Sequence, residues 1–340
     1  MNNLRITDAA RLLTLLEEMG RDRASYSFLN TFQRCSRLFF YRYVKRLEPN
    51  RDAAPLVAGR SMHAALDVWW MKEDRDEAMA ALEREWGDFE PSMGGDYSHL
   101  TLGHAINVLD RYIERGGSHM KGFRPMMLSL DDLNWRHLAH IDATTTDEGA
   151  LLLSESPMIV KILPELDFPV EVRIDFPAVK GEDQLYIVDR KCKMSWMTQR
   201  SIDYSVGVGH QLRTYQAAME LITRREYDGT VIEGIYMGKD PKSGWPNVKS
   251  EPLGMYGPWY WDRDEIEETK HWISATLDDI GVALERMNRY DESGEPPAYA
   301  WPQNDNGGCP RCFFKTLCEV PEPVRKVEIE KHFQEREERR

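Results

Sequence analysis

Ile187-Val188-Asp189-Arg190-Lys191, preceded by Arg173-Ile174-Asp175-Phe176, is the stretch on which the fold turns. Ionic groups inside apolar strands are costly unless something compensates them. Phe168 to Ala178 and Gln184 to Lys191 are rich in Val, Ile and aromatic residues, and Lys180-Gly181-Glu182-Asp183 reads as the turn between them, so the two form a β-hairpin. Strand alternation puts Asp189 and Lys191 on one face. With a loop from Val179 to Asp183, Ala178 pairs with Gln184, and Asp175 lies diagonally from Asp189 on that same face, at roughly 7–8 Å. Two carboxylates and an ammonium on one sheet face suit a divalent cation with a water to activate. The plainer alternative is a surface hairpin with a cross-strand ion pair.

Helical patterns surround the hairpin. Ser27 is placed to cap a helix from about Phe28 to Leu47, which Pro49 to Pro55 ends. A second helix starts near Gly59 and carries Met62, Leu66, Trp69 and Trp70. Arg75 to Trp86 and Leu100 to Arg115 are helical, separated by a break at Pro91 to Gly95 and ended by Gly116-Gly117. After the hairpin come a long helix over Asp203 to Arg225, a strand from Thr230 to Met237 and an acidic helix from Asp262 to Tyr290. This order suggests α/β or α+β, with a helical insertion before the hairpin. The expected organisation is an N-terminal helix over 1–20, one domain over 21–320 with a helical insertion at about 75–150, and a charged tail over 321–340 read as a solvated helix or frayed end.

Composition narrows the function classes. The 340 residues are 41% hydrophobic and 30% charged, and their longest apolar runs fall far short of the roughly 20 residues a membrane helix needs. Asp8, Glu17 and Glu18 among the early leucines argue for an amphipathic helix rather than a signal peptide, so the expected location is the cytoplasm, with no membrane partner. Five cysteines in such a chain point to metal ligation or packing rather than disulfides. The net charge of −13 opposes indiscriminate nucleic-acid binding, yet Arg21 to Arg60 holds nine basic residues against three acidic ones. That local excess can hold a phosphate backbone.

With these residues in view, the chain resembles the PD-(D/E)XK nucleases of the RecB/AddB-like branch, including the CRISPR-associated iron–sulfur exonucleases, and the resemblance implies their α/β core, a central mixed sheet flanked by helices. The matching motifs run in order: Gly59-Arg60-Ser61-Met62-His63, Asp175, Asp189-Arg190-Lys191, and Gln211-Leu212-Arg213-Thr214-Tyr215. Val172 stands where relatives often have Gly, and Cys192 where Thr or Ser is common. The resemblance implies that His63, Asp175 and Asp189, with the Arg190 carbonyl, hold Mg²⁺ or Mn²⁺. It implies that Lys191 positions the attacking water, and that Gln211 and Tyr215, one helical turn apart, contact the phosphate or support Lys191. Glu155 and Glu171 are acidic neighbours able to join the metal shell.

Gly307-Gly308 leads into Cys309-Pro310-Arg311-Cys312 and on to Cys318, a C-x₂-C-x₅-C pattern one thiol short of a four-ligand centre. Cys35 and Cys192 are the candidates for the fourth. The resemblance implies Cys35, giving a [4Fe–4S] cluster on Cys35, Cys309, Cys312 and Cys318, with zinc as the rival occupant. It further implies a DNA exonuclease of end processing, recombination, replication or CRISPR adaptation, such as a phage-encoded enzyme; no G-x-x-x-x-G-K-[ST] helicase motif occurs. A catalytically silent DNA-binding scaffold that keeps the fold is the competing expectation, and RNA the competing substrate.

Overall fold

The computed structural model describes residues 9–50, 53–91, 97–115, 120–146, 149–163, 168–194, 198–238, 253–293, 301, 309 and 312–335. Residues 92–96, 116–117 and 307–308, read above as breaks, lie outside these, as do Arg51, Asp52 and Pro310-Arg311. The chain forms two compact units, one of residues 52–159 and 172–266, the other of 1–51, 160–171 and 267–340. No helix among the described residues is long and apolar enough to cross a membrane.

The first unit is built on a five-stranded mixed sheet in the order Leu253–Trp259, Gly229–Tyr236, Gln184–Lys193, Phe176–Lys180, Phe123–Pro125. Gln184–Lys193 and Gly229–Tyr236 run parallel, and the other pairs are antiparallel. Every residue of Gly229–Tyr236 is buried, as a strand covered on both faces requires. The crossover between the parallel strands carries two helices, Gln199–Val208 and Gln211–Thr223, where the sequence suggested one. The chain breaks at Gly209, whose extended backbone (ψ 144°) stops the first helix.

One sheet face is closed by helix Ala54–Lys72, whose Val57, Ala58, Met62, Ala65 and Leu66 pack with Ile235 and Met237. That helix starts at Ala54, five residues before Gly59, with Pro55 tolerated in a first turn that needs no N–H partner. Helices Arg75–Trp86 and Leu102–Glu114 join the same core. The insertion's last α-helix ends at Glu114; from Phe123 onward the chain forms short strands and a 3₁₀ turn at Leu130–Asp132.

Two details of the hairpin differ from expectation. The loop shrinks to three residues, with Gly181 at φ +68°, so Lys180 pairs with Gln184 and Phe176 with Val188. This two-residue slip preserves the alternation and aims position 175 opposite 189 instead of diagonally. The first strand is also not continuous. Phe168–Arg173 and Phe176–Lys180 are separate, broken at Ile174-Asp175, and the Ile174 carbonyl accepts the Glu155 N–H at 2.8 Å.

In the second unit, the expected helix from Phe28 to Leu47 is three segments: Tyr26–Arg34, Ser36–Phe39 and a π-helical turn Phe40–Val44. Its cap is Ser25, not Ser27; Ser25 Oγ accepts the Phe28 N–H at 3.3 Å. The interruption falls at Cys35, which is extended (φ −165°, ψ 111°). An aromatic core of Phe28, Phe32, Phe39, Phe40 and Tyr43 closes around the buried Trp301. The tail is more than a solvated helix. After helix Glu322–His332, Phe333–Glu335 pairs antiparallel with Leu47–Pro49.

Candidate active site

Helix Ala54–Lys72 presents His63 and Asp67 one turn apart, on one face. His63 Nδ1 lies 2.8 Å from Glu155 Oε1 and 3.9 Å from Asp175 Oδ2, and one donor atom from each of the three residues falls within 4.8 Å of the others. Glu155 is held in a left-handed turn (φ +52°), a conformation that costs a non-glycine residue about 1 kcal/mol or more. Its backbone N–H on Ile174 O fixes that turn against the broken strand.

The electrostatics of the trio are those of crowded anions. Asp175 is buried and its carboxyl is raised to about 7, by burial first and by the negative charge of Asp189 second, against the opposing pull of His63 and Lys191. Burial works against a charged His63, but hydrogen bonds to Cys192 and Glu155 and the Asp175 charge carry its pKa well above the usual imidazole value. Glu155, although burial opposes it, sits below its ordinary value because of the His63 hydrogen bond and charge. An imidazole and two carboxylates converging at this spacing fit a divalent cation, with the imidazole favouring Mn²⁺ over Mg²⁺.

Asp189 and Lys191 stand beside the trio. Asp189 is almost wholly buried, and Lys191 Nζ lies 2.8 and 2.7 Å from its two carboxylate oxygens. Lys191 also donates to Gln211 Oε1 at 3.4 Å, and Gln211 Nε2 donates to Tyr215 OH at 2.9 Å. The Tyr215 hydroxyl is pushed well above its ordinary pKa by burial and by the charges of Asp189 and Asp175. Arg190 points to the opposite face, while its backbone N–H donates to Asp175 Oδ2 at 2.6 Å. His63, Asp175, Asp189, Arg190, Lys191, Gln211 and Tyr215 thus converge on one neighbourhood. Glu155, weighed from the sequence only as an outlying acid, enters the close-set group, and Asp189 is tied to Lys191 beside it. The one sequence signal for Glu155 was an acid just after the apolar Leu151-Leu152-Leu153.

A family model for the PD-(D/E)XK nuclease superfamily matches residues 23–319. The chain belongs to that superfamily. No curated protein matches it. PD-(D/E)XK nucleases use divalent metals such as Mg²⁺ or Mn²⁺, and the His63, Glu155 and Asp175 donors are of the kind that requires.

This PD-(D/E)XK chain also gathers four of its five cysteines in the second unit. Cys318 is raised to about 11 by burial, with Arg37 opposing and Cys312, Cys35 and Cys309 adding to the rise. Cys312 is raised too, again by burial first and then by Cys35 and Cys309. The Cys312 N–H donates to Cys309 O (3.1 Å) and the Cys318 N–H to Phe314 O (3.3 Å). Cys35 Sγ accepts the Leu38 N–H at 3.5 Å. Cys192 belongs to the first unit, within hydrogen-bonding reach of His63 and against Gly59, where an added Cβ would meet the Cys192 Cβ at 3.9 Å.

Proposed function

We propose that this protein is a Mg²⁺- or Mn²⁺-dependent deoxyribonuclease that hydrolyses phosphodiester bonds from DNA ends, stapled by a [4Fe–4S] cluster on Cys35, Cys309, Cys312 and Cys318. The observation that carries the reading is the His63, Glu155 and Asp175 trio lying beside the Lys191–Asp189 pair. A divalent cation held by the trio, with Asp189 and the Arg190 carbonyl completing the shell, would act as a Lewis acid on the scissile phosphate and lower the pKa of a bound water. Lys191, anchored by Asp189, directs its positive charge at the phosphoryl oxygens and holds the attacking water by hydrogen bonding. Gln211 fixes the Lys191 ammonium, and Tyr215 fixes Gln211. Asp189, shielded from solvent, keeps the lysine oriented.

The deciding assay uses end-labelled single- and double-stranded DNA with Mg²⁺, Mn²⁺ or EDTA. Cleavage that depends on added metal and releases labelled ends first supports the proposal. Metal-independent cleavage sinks it, and no cleavage in any metal sinks it and leaves the silent scaffold.

The basic stretch divides into two groups. Arg21 stacks on Phe28 and Tyr43, Arg37 Nε donates to the Trp301 carbonyl at 2.6 Å, and Arg60 pairs with Glu85. Arg42 and Lys45 keep exposed side chains over Tyr43 and Phe40. Replacing either by Ala should lower the slope of log affinity against log salt by about 1 through lost counterion release, with folding intact. Arg37→Ala should instead lower the melting temperature. Equal slopes in wild type, Arg42→Ala and Lys45→Ala would remove these two side chains from the DNA interface.

A further inference from the structure

We propose that Arg190, the residue between Asp189 and Lys191, is a positioning residue that sets all three members of the His63, Glu155 and Asp175 trio; this rests on the metal-centre reading above. Its side chain is wholly enclosed, Nη1 donating to Asp67 Oδ1 at 2.6 Å and Nε to Glu233 Oε2 at 3.1 Å, with the guanidinium 4.8 Å from the centre of the Phe176 ring. A buried guanidinium is costly unless paired and hydrogen-bonded; two carboxylates on different elements pair it through Nη1 and Nε, while Nη2 is buried without a hydrogen-bond partner. Glu233 is fixed in turn by the Tyr112 hydroxyl at 2.6 Å, which accepts from Trp70 Nε1 at 2.7 Å.

From this anchor a path leads to each member of the trio. Asp67 is one helical turn beyond His63, so the Arg190–Asp67 bond sets the rotation of the helix that presents the imidazole. Asp67 Oδ1 also lies 2.9 Å from Ser154 Oγ, and that hydroxyl reaches the Asp175 carbonyl at 2.5 Å. Ser154 immediately precedes Glu155 in its left-handed turn. The Arg190 backbone N–H binds the Asp175 carboxylate directly. One residue therefore governs the approach of three side chains that are far apart in sequence.

The test measures Mn²⁺ affinity of the full chain by calorimetry and by the loss of free-Mn²⁺ paramagnetic signal. Ser154→Ala removes one strut while leaving the Arg190 ion pairs, and Arg190→Lys keeps the charge but loses the planar fork. Both should weaken Mn²⁺ binding roughly 10- to 100-fold, as loss of groups behind metal ligands does. Ser154→Ala should melt within a few degrees of wild type, and its cleavage rate should recover as Mn²⁺ is raised to saturation. Asp175→Ala is the control for the centre itself. If Asp175→Ala loses Mn²⁺ while Ser154→Ala and Arg190→Lys bind it like wild type, the positioning role is overturned. If Asp175→Ala and His63→Ala also bind Mn²⁺ like wild type, the metal-centre reading fails instead, and the inference falls with it.

Discussion

Lys191→Ala should reduce the single-turnover rate of DNA cleavage by roughly 100- to 1000-fold or more, the effect of removing one preorganised charge from a developing oxyanion. The ammonium sits between Asp189 and Gln211, so truncation also leaves Asp189 buried without its countercharge. An unpaired buried charge costs about 3–5 kcal/mol, and Lys191→Ala should lose stability as well as rate. Lys191→Met with Asp189→Asn separates the two effects. That double variant is neutral, keeps the side-chain volumes, and should recover thermal stability while staying inactive. Cleavage by the double variant at the wild-type rate would show that the pair is structural and that the chemistry lies elsewhere.

The second large effect concerns the cysteines. Protein purified without oxygen should be brown and carry about four irons per chain, as a cubane cluster requires. Cys35→Ser, Cys309→Ser, Cys312→Ser and Cys318→Ser should each lose that iron, whereas Cys192→Ser should keep it. Such a cluster would close a loop between Cys35 and Cys309, and in the chain-entropy picture of a cross-link its removal would return roughly 5 kcal/mol of freedom to the unfolded chain. The unit would not depend on the cluster alone. Tyr41 stacks on Phe314 at 5.6 Å, Phe314 on Phe333 at 5.1 Å, and the Tyr41 hydroxyl donates to Leu317 O at 3.3 Å. Iron loss should therefore lower the melting temperature by many degrees and leave a folded, weaker protein. Cys192→Ser should act on the other unit, changing the His63 hydrogen bond and with it Mn²⁺ affinity. A Cys192→Ser protein that loses its iron while Cys35→Ser retains it would reverse the ligand assignment.

The amino-acid sequence by itself determined the parts of this protein that depend on neighbours along the chain. Apolar alternation defined the Gln184–Lys193 strand and put Asp189 and Lys191 on one face. Spacing placed Gln211 and Tyr215 one turn apart, and the motif order announced the superfamily that the match over residues 23–319 shows. Short-range pattern also misled where a local break was invisible. Nothing in the helical periodicity from Phe28 to Leu47 marks Cys35 as extended, because the aromatic core around Trp301 decides where that helix gives way. The hairpin register depended on a turn glycine taking positive φ, which left the loop two residues shorter than expected, both taken from its N-terminal side.

Only the tertiary structure decided the composition of the site. His63 and Glu155 are separated by 92 positions, and no periodicity relates them. The bend at Ile174-Asp175 that accepts the Glu155 N–H lies inside what alternation reads as an unbroken strand. Arg190 looked like a spacer between two functional residues. Strand alternation sends it to the opposite face, but the partners that make its burial tolerable, Asp67 and Glu233, come from a helix and a strand 123 and 43 positions away. Faces and turns follow from bond geometry and are local. Convergence of charges is a property of packing, because desolvation and pairing energies exist only once distant elements have excluded water together.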